Sequence, residues 1–517
     1  MAKQKETPAK KITHAEVRMY RMGTGDCFII KFFANTVNTF TMMIDCGTWQ
    51  NDKAHLTEFI KDLKTYVNKK IDVLVVTHEH KDHVYGFDVC RDLFLDDPDF
   101  IIKNIWMGWT ENDNPSASDG SLSEQVKEWK RKFGQHKMAL SMAAQQLNKV
   151  FNTEALKKQA ENDPKGMVAI RQGFADVVNQ FAELHLSAAD DGDNAVNYVG
   201  GLKGMEVVKK DITKKNKITN ITYYRPGQIF DNIEHADGIR FYVLGPPTSI
   251  DAIQTESGPE GETYSHSHNN NADNDAFATA VLNLDAPQPS ASVQPFDARF
   301  IADAPTDAYT DNQEDWRRID HDWLNSAGSL ALRMNSATNN LSLALAIEFV
   351  DSKRVMLFPG DAEYGSWNSW HSVPWQTKDT GTEKDKKITL AEDLLNRTVF
   401  YKVAHHLSHN GSARKRGVEM MNHPELAAMA TLDYGRISNG WKNTMPNRDL
   451  VQALLTRTKG RLMIMQETGL FVDQAGVKTP LHDKILAARE QMNSTDKAAF
   501  DKSFKDTPLY LQYTVKA

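Results

Sequence analysis

The hydrophobic pattern of the N-terminal part of the chain predicts a layered α/β core. Four short apolar runs have the composition of strands: 28–30, 41–44, 71–76 and 100–107. The run at 71–76 is nearly continuous, as in strands that are covered on both faces. Residues 56–66 and 84–93 have the spacing of amphipathic helices. Strands that alternate with helices in this way favour a layered α/β fold.

The same alternation returns in the C-terminal half. Residues 341–349 alternate strictly between apolar and small or polar side chains, and 353–358 would pair with them as a hairpin. Further strand and helix segments are predicted at 221–224, 239–244, 401–403, 428–432, 450–455 and 462–465. The two halves therefore predict one core that is built from distant parts of the chain.

Two segments interrupt this pattern. Residues 121–200 carry apolar side chains at helical spacing and predict a helical insertion, whereas 251–311 are rich in Ser, Asn, Asp, Gly and Pro and predict a long polar loop. The predicted organisation is a flexible basic N-terminus (1–13), a first half of the core (14–120), the helical insertion (121–200), core strands (201–250), the polar loop (251–311) and a second half of the core with C-terminal elements (312–517).

Composition narrows the class of protein. Hydrophobic residues make up 40% and charged residues 25%, which excludes a wholly disordered chain. The chain has three cysteines and no C-x-x-C pair, which fits a reducing compartment. No apolar run reaches the length of a membrane span, so we expect a cytoplasmic protein without membrane contact. The net charge of −7 excludes a general polycation.

A histidine-rich loop directly follows the strand predicted at 71–76. It contains His78, His80, Asp82 and His83 at closely spaced positions. Imidazole and carboxylate groups of a tight loop can converge on metal ions, and ligands of α/β sheets gather beyond the carboxyl ends of strands. A solvated polar loop is the alternative, but the pattern favours a metal site.

Two later segments also place such groups at strand ends. Asp361 follows the strand predicted at 353–358; taken alone, it would be read as an ordinary Gly-Asp turn. His405, His406 and His409 follow the strand predicted at 401–403. One loop cannot complete a two-metal site, so these segments are candidates for the remaining ligands.

These motifs resemble a known family. The H-x-H-x-D-H loop at 78–83, the step Gly360-Asp361 and the step His405-His406 occur in the order of the metallo-β-lactamase superfamily of hydrolases. The segments Gly-Thr-Gly-Asp at 23–26, Asp45-x-Gly47 and HH-x-SHN at 405–410 resemble the branch that includes the hydrolase domain of the bacterial DNA-uptake competence protein. The resemblance covers roughly 14–110, 200–250 and 320–470.

The resemblance implies an αβ/βα four-layer sandwich with a helical insertion and with two divalent metal ions at one edge of its sheets. The implied ligands are His78, His80, Asp82, His83, Asp361 and His405. His406 stays open as an alternative to His405, and Asp45 and Asp26 would support the ligands from behind. Zinc suits this donor set best, and manganese is compatible with it.

The chain departs from the family pattern at one ligand. Many members carry a further histidine between the first loop and the Gly-Asp step. Here His136, His185 and His235 follow no predicted strand, and we interpret each as a surface or packing residue. The same interpretation applies to His266 and His268 of the polar loop.

The predicted reaction is hydrolysis by a hydroxide that two metal ions activate. Asp82 would orient the nucleophile, and His406 or His409 would donate a proton to the leaving group. Basic stretches at 127–132, 203–217 and 414–416 favour an anionic phosphodiester substrate, with nucleic acid as one candidate, although solvated helix faces explain them equally well.

Three functions are therefore compared. The favoured one is a metal-dependent nuclease or phosphodiesterase. A hydrolase of carboxylic esters, lactones or thioesters on the same metal centre is an alternative, and a non-catalytic metal-binding scaffold is another. Trp367 and Trp370 could stack on a base, but burial in the core is their expected fate.

Overall fold

A computed structural model describes residues 11–49, 53–112, 128–129, 188–189, 197–198, 201–259, 261–264, 337–378, 386–437, 445–472 and 478–517. The chain divides into two compact units. The first comprises Met1–Val126, Lys203–His266 and Ser336–Ala517, and the second comprises Lys127–Leu202 and Ser267–Asn335. The candidate site and both large sheets lie in the first unit, to which the following paragraphs are confined unless they say otherwise.

The strands of the described residues are, in chain order, β1 His14–Tyr20, β2 Phe28–Ala34, β3 Val37–Ile44, β4 Lys70–Val76, β5 Ile101–Gly108, β6 Ala188–Ala189, β7 Asn197–Tyr198, β8 Thr222–Tyr224, β9 Ile229–Phe230, β10 Ile239–Val243, β11 Leu345–Phe349, β12 Arg354–Phe358, β13 Trp375–Lys378, β14 Lys386–Thr389, β15 Thr398–Lys402, β16 Ala427–Asp433, β17 Leu462–Gln466, β18 Leu470–Val472, β19 Lys478–Pro480, β20 Phe504–Asp506 and β21 Tyr510–Lys516.

The α-helices of the same residues are α1 Lys53–Tyr66, α2 Lys81–Val89, α3 Arg91–Leu95, α4 Gly201–Glu206, α5 Thr213–Asn216, α6 Ile250–Gln254, α7 Tyr364–Trp370, α8 Ala391–Asn396, α9 Arg448–Thr458, α10 Leu481–Glu490 and α11 Ser494–Ser503. A π-helical segment, Val207–Ile212, joins α4 to α5. Short 3-10 turns cover Trp109–Glu111, Ala404–Leu407 and Val418–Met420.

Two large mixed sheets organise the first unit. The first sheet has the order β20-β21-β1-β2-β3-β4-β5-β8; it is antiparallel from β20 to β3 and parallel from β3 to β8. The second sheet has the order β17-β16-β15-β12-β11-β10-β9; it is parallel from β17 to β12 and antiparallel from there to β9. The mixed α/β class that the sequence predicts is confirmed.

Three clusters of buried side chains form the core. One combines residues of both sheets, such as Phe28 of β2 with Phe358 of β12, whose ring centroids lie 6.1 Å apart. A second joins the first sheet to α1, α2, α3 and the segment around Val207, and a third joins the second sheet to α7, α8, α9 and α10. Each strand that is buried on both faces therefore reads as a continuous apolar run in the sequence.

The parallel parts of the two sheets determine where polar loops collect. Strands β3 and β4 of the first sheet and β12 and β15 of the second end in the segments that carry Asp45, His78–His83, Asp361 and His405–His406. Because carboxyl ends of parallel strands lie at one edge of a sheet, the loops that follow each pair of strands are neighbours.

Several sequence predictions differ from the structure in detail. The helix predicted at 84–93 is broken at Cys90, whose φ of −108° and ψ of 29° are not helical, so α2 ends at Val89. The strand predicted at 341–349 begins only at Leu345. The lysine-rich stretch 203–217, expected to be exposed, is helical and buries Val207, Val208 and Ile212 against the first sheet.

Other predictions lie outside the described residues. They include most of the helical insertion at 121–200 and of the polar loop at 251–311, the basic positions 127 and 130–132, and His136, His185, His266 and His268. Within the second unit, β6 and β7 pair as an antiparallel hairpin. His235 is described and is a surface residue as predicted, since its side chain is 51% exposed beside Glu234.

Candidate functional site

The histidine-rich loop is anchored by Asp45, which follows β3. The Asp45 carboxylate accepts hydrogen bonds from the backbone nitrogen of Thr77 at 2.8 Å and from its Oγ1 at 2.6 Å. The same carboxylate lies 2.8 Å from Nδ1 of His83. Because Nδ1 is engaged in this way, Nε2 of His83 points away from Asp45 and into the cluster. Asp45 therefore connects the start of the loop at Thr77 with its last histidine, His83.

Two glycines let three backbone segments approach each other behind the loop. A Cβ atom on Gly47 would lie 2.2 Å from the backbone nitrogen of His83, and one on Gly25 would lie 2.6 Å from the carbonyl oxygen of Asp82. Gly25 also has φ +139°, a conformation that favours glycine. Backbone hydrogen bonds from Asp26 to Asp82 and from Cys46 to His83, each 2.8 Å long, join the segments.

Four buried side chains from three segments converge in front of this cradle. Nε2 of His83 lies 3.0 Å from Oδ2 of Asp361, and Nε2 of His406 lies 3.1 Å from the same oxygen. His406 Nε2 also lies 2.9 Å from Oδ2 of Asp82. The ligand atoms of Asp82, His83, Asp361 and His406 all lie within 4.8 Å of one another, an arrangement that could hold a metal ion. We call these four residues the ligand group.

The second imidazole of the ligand group is oriented through Thr431, near the end of β16. Thr431 Oγ1 lies 2.7 Å from Nδ1 of His406 and donates to Oδ1 of Asp26 over 2.7 Å. Asp26 therefore supports His406 through a hydroxyl group, as Asp45 supports His83 directly. In both cases a buried carboxylate fixes which ring nitrogen faces the cluster.

The remaining histidines of the loop, His78 and His80, lie beside the ligand group. Nε2 of His78 is 2.9 Å from Nδ1 of His80, and the rings of His78 and His83 have centroids 4.1 Å apart. Within the described residues, Nε2 of His80 is buried and has no hydrogen-bond partner. A buried polar atom of this kind is expected to have a ligand.

His405 and His406 point in different directions. The backbone nitrogen of His405 donates to Asp361 over 3.1 Å, whereas its ring lies 3.2 Å from Asn410. The structure thus brings the ring of His406, and not that of His405, into the ligand group. His405, His406 and Leu407 have φ values of 46°, 50° and 68°, and this left-handed turn is strained for residues with side chains. His409 lies on the same loop, and its Nδ1 is buried without a partner among the described residues.

Burial and charge act against each other in the cluster. Burial opposes the charge of His406, but Asp361 and Asp82 outweigh it and raise its pKa to about 9. The pKa of His83 is raised in the same way, against its burial, by Asp361, Asp82, Asp26 and Asp45. Burial also opposes ionisation of Asp82, yet His83 and His406 hold the pKa of that carboxyl well below its usual range. Burial lowers the pKa of His80 to about 4 and that of His405 to about 4, so both rings are neutral.

Sequence reasoning missed two residues of this site. Lys402, the last residue of β15, is buried with its ammonium 2.8 Å from Oδ1 of Asp361 and 2.6 Å from Oδ2 of Asp26. Thr431 was read only as part of an apolar strand. The available signal was the same for both: a polar residue at the end of a buried strand that runs parallel to the strand before Asp361 or His405.

Among the described residues, three side chains of the basic stretches are paired with glutamates. Lys203 and Lys210 form ion pairs with Glu206 at 2.7 and 2.9 Å, and Arg414 pairs with Glu419 at 2.8 Å. The two tryptophans after Asp361 are fully buried in the core, as expected, and Trp367 donates to backbone oxygens of Ala362 and Gly411.

Residues 17–93 match the family model described as Anti-Pycsar protein Apyc1. The matched segment contains Asp26, Asp45 and the whole histidine-rich loop, but neither Asp361 nor His406. No curated protein and no solved structure matches the chain.

This match corrects two predictions. The assignment to the metallo-β-lactamase superfamily is wrong, because the matching family is Anti-Pycsar protein Apyc1 and not a metallo-β-lactamase family. The predicted function, hydrolysis of phosphodiesters in general (nuclease or phosphodiesterase) with ester hydrolysis or a metal-binding scaffold as alternatives, is also wrong. The description that the match carries, Anti-Pycsar protein Apyc1, names none of these activities. The motif misled because short metal-binding patterns do not specify a family or a substrate.

None of the helices in the described part of the chain has the length and apolar character that a bilayer crossing requires.

Proposed function

We propose that this chain is an enzyme that degrades cyclic nucleotides at the ligand group. The description Anti-Pycsar points to these small cyclic substrates and not to phosphodiesters in general. The main support for this proposal is that the matched segment, residues 17–93, contacts distant parts of the chain at the ligand group. Asp82 and His83 come from residues 17–93, and Asp361 and His406 complete their arrangement from the second sheet. The part of the chain that matches the Anti-Pycsar protein Apyc1 family therefore supplies half of a buried polar cluster.

The charge of the surface supports a small substrate. A nucleic acid needs many cationic contacts, but three basic side chains of the predicted patches are paired with Glu206 or Glu419. A cyclic mononucleotide carries a single phosphate charge and needs only the cluster itself. Asp82 and His80 keep 5% and 4% of their surface exposed, whereas His83 and His406 have none.

The chemistry of the donor set fits divalent cations. The ligand group offers two carboxylates and two imidazoles, and the unpartnered Nε2 of His80 offers a further donor beside His78. We propose that the ligand group holds one ion and that His78 and His80 help to hold a second, with zinc favoured and manganese compatible. Bound ions would supply positive charge that stabilises the charge developing on the phosphate oxygens.

The side chains around the ligand group have separate tasks in this proposal. Asp45 and the pair Thr431 and Asp26 keep the two imidazoles oriented, so no reorganisation is needed when substrate arrives. Asp82 orients the attacking water. As water adds to phosphorus and one ring P–O bond breaks, the proton that the water loses ends on the departing oxygen. His409, whose pKa is lowered by burial and whose Nδ1 has no partner among the described residues, is the proposed carrier of this proton.

The two sheets also support a finer proposal on architecture. One core cluster joins the two sheets, and the two others each join one sheet to helices. This distribution is what a four-layer αβ/βα sandwich requires, so we propose that arrangement for the first unit.

A comparison of two buried carboxylates tests the function. Asp82→Asn should lower turnover of 3′,5′-cyclic nucleotides by about 100-fold or more, because Asp82 belongs to the ligand group. Asp72→Asn is the matched control, since Asp72 is also buried but accepts from the backbone of Thr41 and pairs with Lys103. Product is measured by chromatography with zinc or manganese added. Equal loss in both variants, or no turnover by the unaltered protein with any of the four common bases, would contradict the proposal.

A further inference from the structure

The ammonium of Lys402 lies in a cage of three oxygen atoms next to the ligand group. Its Nζ is 2.6 Å from Oδ2 of Asp26, 2.8 Å from Oδ1 of Asp361 and 2.8 Å from the carbonyl oxygen of Gly360. An ammonium has three N–H donors, so the cage uses all of them. The side chain is only 2% exposed, and a buried charge persists only where it is paired and hydrogen-bonded. The cage is therefore built for a cation.

The lysine determines which oxygen of Asp361 faces the ligand group. Oδ1 is engaged by Lys402 and by the backbone nitrogen of His405. Oδ2 is left for His83 and His406, at 3.0 and 3.1 Å. Rotation of this carboxylate would break the contacts with Lys402 and His405 together, so the two sides of Asp361 have fixed and different roles.

Lys402 also contacts the carboxylate of Asp26, which could otherwise bind a cation. Asp26, Asp45 and His83 form a second group whose geometry could hold a metal ion. However, Asp26 already contacts Lys402 and Thr431, and Asp45 already contacts Thr77 and His83. Lys402 therefore already supplies a positive charge to this second group, through its ion pair with Asp26.

We propose that Lys402 is a positioning residue that acts as a resident cation: it fills a site on Asp26 and Asp361 that a free ion would otherwise take, and it presents Asp361 Oδ2 to the ligand group. The proposal rests on the proposed function for its link to turnover, but not for its link to ion binding. Lysine carries the charge without an exchangeable ion, so the number of free ions in the cluster is fixed by the chain itself.

Removal of the side chain tests this role in two ways. In Lys402→Ala the cage is empty, so titration of the metal-free protein with zinc or manganese in a calorimeter should show one more bound ion per chain than in the unaltered protein. The kcat for cyclic nucleotides should fall by about tenfold or more, with a smaller change in KM, because Asp361 is no longer held. When metal is supplied only at the stoichiometry that saturates the unaltered protein, ammonium ions should restore part of the kcat, whereas tetramethylammonium ions, too large for the cage, should not.

Two further variants keep the test decisive. Lys402→Met fills the volume of the side chain without its charge. It should lose kcat as Lys402→Ala does, but ammonium should not restore it. This variant also provides a test if Lys402→Ala fails to fold. Lys31→Ala removes a partly buried lysine that donates to the backbone of Tyr66, and it should match the unaltered protein. An unchanged ion count with unchanged kcat in folded Lys402→Ala, or equal rescue by both ammonium salts, overturns the proposal. If the unaltered protein degrades no cyclic nucleotide, the proposed function fails, and the ion count alone still decides the role of Lys402.

Discussion

Burial and the nearby carboxylates have opposite effects on the pKa of His406. Its ring is fully buried, which favours the neutral form, yet Nε2 contacts both Asp82 and Asp361. The carboxylates prevail, and the pKa rises to about 9. In the metal-free protein the ring is therefore a cation at neutral pH, and it must lose this proton before it can bind a metal ion.

The raised pKa makes the stability of the metal-free protein dependent on pH. A group whose folded pKa is about 9 and whose ordinary pKa is 6.5 stabilises the fold fully below pH 6.5, and this contribution is lost as the pH rises through about 9. The free energy of unfolding should fall by about 3 kcal/mol across this window. Chemical denaturation at several pH values measures it, and His406→Gln should flatten the curve. A free energy of unfolding that rises over the same window would contradict the assignment.

The two adjacent histidines should differ in metal binding. His406→Ala removes a member of the ligand group and should weaken zinc binding by about 100-fold. His405→Ala leaves the backbone contact with Asp361 in place and should weaken binding by less than about tenfold. Equilibrium dialysis with a competing chelator measures both. A larger loss in His405→Ala than in His406→Ala would reverse the roles that the structure gives them.

The difference between these neighbours could not be read from the sequence. Both follow a buried strand, and the resemblance favoured His405 as ligand. The left-handed φ values at His405, His406 and Leu407 turn the second ring toward Asp82. Such a turn depends on contacts made by the surrounding loops, so spacing in the sequence does not encode it. By contrast, the resemblance implied a supporting role for Asp45, and the residue, which follows β3, accepts a hydrogen bond from the backbone nitrogen of Thr77.

At the scale of elements, the cluster depends on how closely three loops pack. The loops that contain Gly25, Gly47 and Asp82 touch through backbone atoms, with no space for a methyl group at Gly47. The strands before these loops were predictable, since 41–44 and 71–76 lie within β3 and β4. The break of the following helix at Cys90 was not, because its amphipathic spacing continues across the break.

A single methyl group should therefore disturb the cluster. In Gly47→Ala the new Cβ would lie 2.2 Å from the His83 backbone nitrogen, so the histidine-rich loop must move. We expect a loss of about 2–4 kcal/mol in the free energy of unfolding, together with weaker zinc binding. In Gly435→Ala the nearest contacts would be 3.4 and 3.8 Å, and stability should stay within about 0.5 kcal/mol. Thermal or chemical unfolding with and without zinc compares the two variants. Full metal affinity in Gly47→Ala would contradict the role given to the close backbone packing around Gly47.

At the scale of the whole molecule, the site is assembled from parts of the chain far apart in sequence. Its residues come from positions 26 to 431, and β1 of the first sheet pairs with β21 of the C-terminal segment. Local patterns predicted most strands, but they contain no information on which strands become neighbours. The pairing of β1 with β21 and the ion pair of Lys402 with Asp26 depend on such long-range contacts.

The distribution of charge predicts how substrate binding responds to salt. The chain has a net charge of −7, and basic groups such as Lys203 and Arg414 are paired with carboxylates. Binding of a cyclic mononucleotide should therefore change by less than about threefold between about 50 and 200 mM salt, whereas a nucleic acid held by many cations would lose affinity by orders of magnitude. Titration with a fluorescent cyclic nucleotide at several salt concentrations decides between them. A steep decrease in affinity would favour a polyanionic ligand.

The fate of the bound nucleotide tests the central claim most directly. Equimolar protein, loaded with zinc or manganese, and a 3′,5′-cyclic nucleotide are mixed, the protein is denatured with acid, and the nucleotide is identified by mass spectrometry. Degradation at the ligand group predicts a linear monophosphate that is heavier by one water, and no such product with Asp361→Asn. Recovery of the intact cyclic nucleotide from the unaltered protein would show that the chain sequesters it or ignores it, and would contradict the account.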